Sequence, residues 1–289
     1  MTASWQLWRD KRGRLSALRI ATLVLLLLPV AKALYDADAI LHGARPLTDL
    51  IHRAGFWALI FLGVTLAVTP LRRIARYGQL IDVRRMLGVG TFCYIAAHLL
   101  LYVADQGFDL GKVAHEITHR WYLIVGATAW LGLAVLALTS TDGMQRRLGG
   151  LRWRRLHQAV YVIALLGLIH YFQQTKADVT VPTLAAGLFG WLICYRLLAW
   201  WQGTSELSAL SLFGLSVGVA ALTFIGEAIG IGIAFGVSPL RVLDVAFNFQ
   251  AGIRPGWQVL AAGLAVVALD MVRSRWNSRA ARTRAVAAE

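Results

Sequence analysis

Eight long apolar stretches separated by short polar segments dominate the chain. They run roughly over residues 18–35, 54–69, 87–104, 121–139, 157–173, 181–200, 208–236 and 256–272. Each approaches the ~20 residues an α-helix needs to cross about 30 Å of hydrocarbon. None alternates apolar and polar positions as a barrel strand does, and lipid offers a free backbone N–H no partner. The pattern therefore predicts an all-α integral membrane protein. The first stretch is long for a signal-peptide core and no small-residue cleavage site follows it cleanly, so it is expected to stay as a helix. The first six stretches have short connections, which leave no room for a separate soluble catalytic domain.

Composition agrees: 58% of the 289 residues are hydrophobic and the mean hydropathy is +0.60. A net charge of +14 suits nucleic acid as a partner in principle, but no aromatic-basic binding module accompanies it. The placement of the charge explains it instead. Arg9, Lys11, Arg12, Arg14 and Arg19 lie before or at the very start of the first stretch. Arg72, Arg73, Arg76, Arg84 and Arg85 lie between the second and third. Arg146, Arg147, Arg152, Arg154 and Arg155 lie between the fourth and fifth. Arg196, read by its charge as a loop residue like the others, then Arg273, Arg275, Arg279, Arg282 and Arg284, complete 21 of the 29 basic residues on one side. By the positive-inside rule that side is cytoplasmic and holds both termini. The same residues suit contact with anionic lipid.

Cys93 and Cys194 both fall inside apolar stretches, so neither a disulfide framework nor a two-cysteine metal site is expected. "GIGIAFG" (230–236) has neither the spacing nor the strand context of a dinucleotide loop. Gly226, Gly230, Gly232 and Gly236 read better as small residues that let helices approach closely. Any redox chemistry here needs electrons delivered from elsewhere.

Of seven histidines, His42, His52, His115 and His119 fall in or beside outer loops and read as solvated. His98 and His170 do not. His98 is 13 residues past Arg85 and His170 is 15 past Arg155. At ~1.5 Å per residue both lie roughly 20–22 Å in from the basic side, on helices running in the same direction. Polar groups at that depth are costly. Two imidazoles at one level suit the axial positions of a haem iron; an interhelical hydrogen bond from each is the alternative. No carboxylate lies at that level to complete another metal centre. His157, on the basic boundary, has no histidine partner at its level, where counting back from His98 reaches Arg85. A weaker-partnered second haem, a propionate contact, a flavin or quinone site, or a plain interfacial role all stay open for it.

Residues 45–200 resemble the MsrQ (YedZ) family. The resemblance rests on "VTPLRR" (68–73), "RRMLGVGTFCYIAAHLLLY" (84–102), "HRWYLIVG" (119–126) and, above all, "LTSTDGMQRRLGGLRWRRLHQAVYVIALLGLIHY" (138–171). It implies a six-helix ferric-reductase-like bundle binding haem b, with His98 and His170 as ligands and His157 as the third family histidine. It implies FMN as a second cofactor, with a cytoplasmic flavin reductase or quinol as donor. The acceptor would be a periplasmic molybdopterin methionine sulfoxide reductase, MsrP, so this chain would be an electron-transfer subunit without catalytic residues of its own, in a bacterial inner membrane. Arg120 at the outer mouth of the fourth stretch is then a candidate propionate contact. Arg85 and Trp153 are candidate contacts on the flavin or quinone side, a belt position being the plainer role for Trp153.

The expected organisation is a first segment over 1–44, a haem-binding core over 45–202, and an extension over 203–289 with two further helices and a basic tail. Glu227, inside the seventh stretch, needs a partner or a proton. Two other readings stay open: a haem-b ferric or quinone reductase of the same fold, and a cofactor-free transporter-like membrane protein.

Overall fold

A computed structural model describes residues 7–9, 13–175, 178–204 and 206–286. Lys11 and Arg12, and the side chains of Arg279, Arg282 and Arg284, lie outside the described residues. Twelve α-helices run in order: α1 (Ala17–Tyr35), α2 (Ala37–Leu41), α3 (Pro46–Ile74), α4 (Arg84–Asp105), α5 (Leu110–His119), α6 (Trp121–Leu138), α7 (Asp142–His157), α8 (Val160–Gln174), α9 (Thr180–Trp201), α10 (Ala209–Phe235), α11 (Pro239–Ala246) and α12 (Pro255–Val286). Among the described residues the only strand-like pairing is an isolated bridge between Arg9 and Leu15.

Seven helical segments are long and apolar enough to cross a membrane; α7 and α8, joined at a 40° bend, give an eighth if taken as one span. Every predicted stretch thus has its helix, and the protein is an all-α, multi-pass membrane protein. The periodicity did not announce α5, α7 or α11. Asp109 starts α5 by accepting from the Lys112 N–H at 2.9 Å, and Thr141 starts α7 by accepting from Met144 at 3.3 Å. Gly149, at φ 72°, breaks α7 in two, a backbone conformation that favours glycine.

The chain divides into two compact units, one of residues 1–65 and 79–174, the other of residues 66–78 and 175–289. In the first, Phe61 is fully buried and the Tyr94 hydroxyl donates to the Leu26 carbonyl at 2.6 Å, tying α4 to α1. Helix α6 lies close on α8: a Cβ at Gly132 would come within 2.7 Å of Ile163.

The second unit packs α9, α10 and α12 around Trp191, Tyr195, Leu212, Val219 and Val259. The close approaches are not where the "GIGIAFG" run suggested. Gly226 and Gly230 face open space, Gly232 makes room for Pro239 and Val237, and Gly236 is the left-handed cap of α10 at φ 66°. The approach is made instead by Gly187, where a Cβ would come within 2.6 Å of Val259, and by Gly263, where it would strike Ser216. Glu227 is buried and meets Arg254 at 2.8 Å, the partner that its depth demanded.

Arg196 lies within α9, not in a loop as its charge suggested. Pro70 interrupts α3, and having no N–H it leaves the Leu66 carbonyl one turn earlier without its helical donor. The Arg196 guanidinium donates to that carbonyl at 2.6 Å. An unsatisfied carbonyl in lipid costs several kcal/mol, so this arginine repairs a proline break. Arg196→Met is expected to lower the thermal midpoint in detergent, and to do so less in a Pro70→Ala background, where the helix supplies its own donor. Equal losses in the two backgrounds would contradict the repair.

Candidate functional site: two facing histidines

His98 on α4 and His170 on α8 meet within the first unit, with ring centroids 6.3 Å apart and ring planes at 88°. Their spacing from the basic side implied a shared level; the structure brings the two rings together with their planes nearly perpendicular. Each ring is held in the same way. Nδ1 of His98 lies 2.8 Å from the Ile51 carbonyl on α3, and Nδ1 of His170 lies 2.8 Å from the Tyr122 carbonyl on α6. A carbonyl only accepts, so Nδ1 carries the proton in both rings and Nε2 keeps its lone pair. This is the tautomer and second-sphere bond that a metal-ligating imidazole requires.

The separation has a chemical meaning. Two imidazoles on opposite sides of one first-row metal ion, each about 2 Å from it through nitrogen, have ring centroids roughly 6.3 Å apart. Among the described residues no cluster of three or more His, Cys, Asp or Glu could hold a metal ion. The separation would let the two rings hold the iron of a haem between them. The indole N–H of Trp130 on α6 is buried without a hydrogen-bond partner in the protein, although Phe92 of α4 lies 6.0 Å from its ring. Trp130 did not stand out in the sequence, since a tryptophan in an apolar helix carries no signal of its own.

His157 is arranged differently. Its ring stacks on Trp153 at 3.9 Å; Nε2 lies 3.3 Å from the Ser140 hydroxyl and Nδ1 lies 3.1 Å from the Trp153 carbonyl. The Trp153 indole in turn donates to the Thr139 carbonyl at 2.9 Å. Arg85 pairs with Asp142 at 2.5 Å. Asp142, Gln145, Arg146, Gly150, Trp153 and Arg154 line an open groove of about 530 Å³ along α7. These residues form a polar cluster at the arginine-rich end of the unit, and no second histidine faces His157.

Arg120 caps the end of α5 and bonds Glu116 and the Tyr122 hydroxyl, the latter at 3.0 Å. The Tyr122 hydroxyl bond, with the nearby Glu116 charge, pushes its pKa further up. Of the other outer-side histidines, His52 lies within α3, and His115 and His119 stack on one face of α5 at 3.9 Å.

Residues 54–168 match the family of ferric reductase like transmembrane components. A "protein-methionine-sulfoxide reductase heme-binding subunit MsrQ" of Rhodospirillum rubrum is 42% identical over 193 residues, which is 66% of this chain and 89% of that protein. Proteins of the same name match from Ralstonia nicotianae, 38% identical over 195 residues and 90% of its length, and from Xanthomonas campestris, 44% identical over 162 residues and 74% of its length. No solved structure matches the chain.

Arg120 is half exposed and already engaged by Glu116 and Tyr122. An exposed ion pair contributes little to stability. Arg120→Gln is therefore expected to shift the thermal midpoint by only a few degrees and to leave the content of bound haem unchanged. Loss of most of the haem would instead make Arg120 a cofactor contact.

Proposed function

The chain belongs to the MsrQ family of haem-binding membrane subunits, and from that premise we propose that it carries electrons across the bacterial inner membrane through haem b held by His98 and His170. The observation that carries this reading is the facing pair itself, 6.3 Å between ring centroids with each Nδ1 bonded to a backbone carbonyl. When bound, haem supplies a one-electron Fe(III)/Fe(II) couple. The chain's part is to keep both imidazoles neutral with Nε2 unprotonated, to hold their planes, and to exclude water with the surrounding apolar helices.

Direction comes from charge. The arginines of α7 and of the segment after α3 are taken as cytoplasmic, with both termini on that side. Electrons arrive there, from a cytoplasmic flavin reductase or from quinol. FMN is the proposed second cofactor: Arg146 and Arg154 beside the α7 groove suit its phosphate by charge, and Trp153 suits its ring by shape. His157 and Arg85 belong to the same cluster and are proposed to support this side. Both ring nitrogens of His157 are occupied by protein, which favours that role over a second haem. The acceptor outside is proposed to be MsrP, the molybdopterin subunit that reduces methionine sulfoxide in periplasmic proteins, so that this chain transfers electrons and MsrP does the chemistry on the protein substrate.

The test is a reduced-minus-oxidised visible spectrum of the detergent-purified protein, with haem quantified per chain. The wild type is expected to show a b-type spectrum that His98→Ala and His170→Ala abolish and His157→Ala retains. A wild type that stays colourless when haem is supplied would sink the reading. Retention of the spectrum in either of the first two variants would reassign the ligands.

A further inference from the structure

Both histidines are held by the same two-part device. The Ile51 carbonyl that bonds His98 is followed four residues later by Gly55, and the Tyr122 carbonyl that bonds His170 is followed four residues later by Gly126. In a helix the Cα–Cβ bond tilts toward the N-terminus, so a side chain at one position covers the turn before it, including the carbonyl four residues back. A glycine there leaves that carbonyl open to a flat ring as second donor while it still accepts its helical N–H.

The imidazoles occupy the space so vacated. A Cβ at Gly55 would lie 3.0 Å from His98 Nδ1 and 3.1 Å from Cε1; at Gly126 it would lie 2.8 Å from both atoms of His170. Glycine is not needed everywhere in these helices, since Gly63 on α3 and Gly167 on α8 face nothing within 4 Å. The device also repeats along the chain. Gly55 and Gly126 are 71 residues apart and His98 and His170 are 72 apart, so α3 with α4 and α6 with α8 present the same clamp from two sides.

We propose that Gly55 and Gly126 are positioning residues, each forming with the carbonyl one turn before it a clamp that sets the ring plane of the histidine opposite. The outer torsion of a histidine is broad and fixes no plane by itself. A hydrogen bond at Nδ1 together with the flat seat of a bare helix turn removes that freedom. The two clamps hold the rings at 88°. As ligands of one iron, rings so crossed leave its two π-symmetry d orbitals close in energy, and the low-spin ferric EPR signal is then strongly anisotropic; parallel rings give a rhombic signal.

This inference rests on the haem reading for its spectroscopic consequence, and the experiment separates the two. EPR spectra and haem content are compared for wild type, Gly55→Ala, Gly126→Ala and the controls Gly63→Ala and Gly167→Ala. The controls are expected to match wild type. Gly126→Ala, with the tighter contact, is expected to lose the anisotropic signal or to lose haem severalfold, and Gly55→Ala to do so to a lesser degree. A double-mutant cycle reads the clamp without haem. In haem-free protein, Gly126→Ala should lower the thermal midpoint when His170 is present and leave it nearly unchanged in a His170→Ala background, where no ring is struck. If Gly126→Ala alone does not fold, its recovery by His170→Ala supports the clamp and failure to recover overturns it. Full haem with an unchanged signal in both glycine variants, or an equal midpoint loss with and without the ring, also overturns it. A wild type that binds no haem ends the proposed function, and the clamp then stands or falls on the double-mutant cycle alone.

Discussion

An imidazole N–H placed among lipid-facing helices has to find an acceptor, because hydrocarbon supplies none and an unmet polar group there costs several kcal/mol. The helices that carry His98 and His170 are built mostly of apolar side chains, and the acceptor each ring uses is backbone. A helical carbonyl has a second lone pair to give, but only where the following turn leaves it uncovered. The bonds from His98 to Ile51 and from His170 to Tyr122 meet that requirement, and much else follows from them. They fix the tautomer, leave Nε2 as the free nitrogen, and fasten α4 to α3 and α8 to α6 at the level of the site.

The parts of this arrangement legible in the sequence were those that lipid enforces on a single segment. The apolar runs had to be helices of membrane length; seven are, and the fifth run, as α8, reaches that length only together with α7 across a 40° bend. The spacing of His98 from Arg85 and of His170 from Arg155 gave a common depth because helical rise is constant. What the residues alone did not reveal depends on pairing between segments. The acceptors are carbonyls, which every residue possesses, and glycines are common in membrane helices, so neither Gly55 nor Gly126 stood out. Counting by motif even favoured the wrong glycines. The cluster from 226 to 236 looks like a packing seam, whereas Gly187 and Gly263, scattered in sequence, make the close approaches in the second unit.

Short helices escaped for a related reason. α5 is amphipathic, buries Val113 and leaves His115 and His119 outside, so it has too little apolar length to read as a span. α7 is rich in arginine and is set by its Thr141 cap and the Gly149 break rather than by hydrophobic period. Arg196 misled in the opposite sense. Its charge read as a loop residue, yet the guanidinium answers a backbone defect that Pro70 makes in a different helix. A charge inside a span is a demand for a partner, and the partner can be a carbonyl that sequence cannot display.

Buried polarity in this chain therefore falls into two kinds, and the difference separates site from scaffold. Glu227 with Arg254, and Arg196 with the Leu66 carbonyl, are groups facing each other, each meeting the need that the other creates. Such pairs tie parts of the chain together, although Nε of Arg254 stays buried without a hydrogen-bond partner. His98 and His170 are each satisfied at Nδ1 by the backbone, and their rings lie 6.3 Å apart with Nε2 keeping its lone pair. Two neutral imidazoles sharing a level gain nothing by facing each other with lone pairs. The proposed haem site rests on that difference: Nδ1 of each ring ties one helix to another, and Nε2 keeps a lone pair that a metal ion would take.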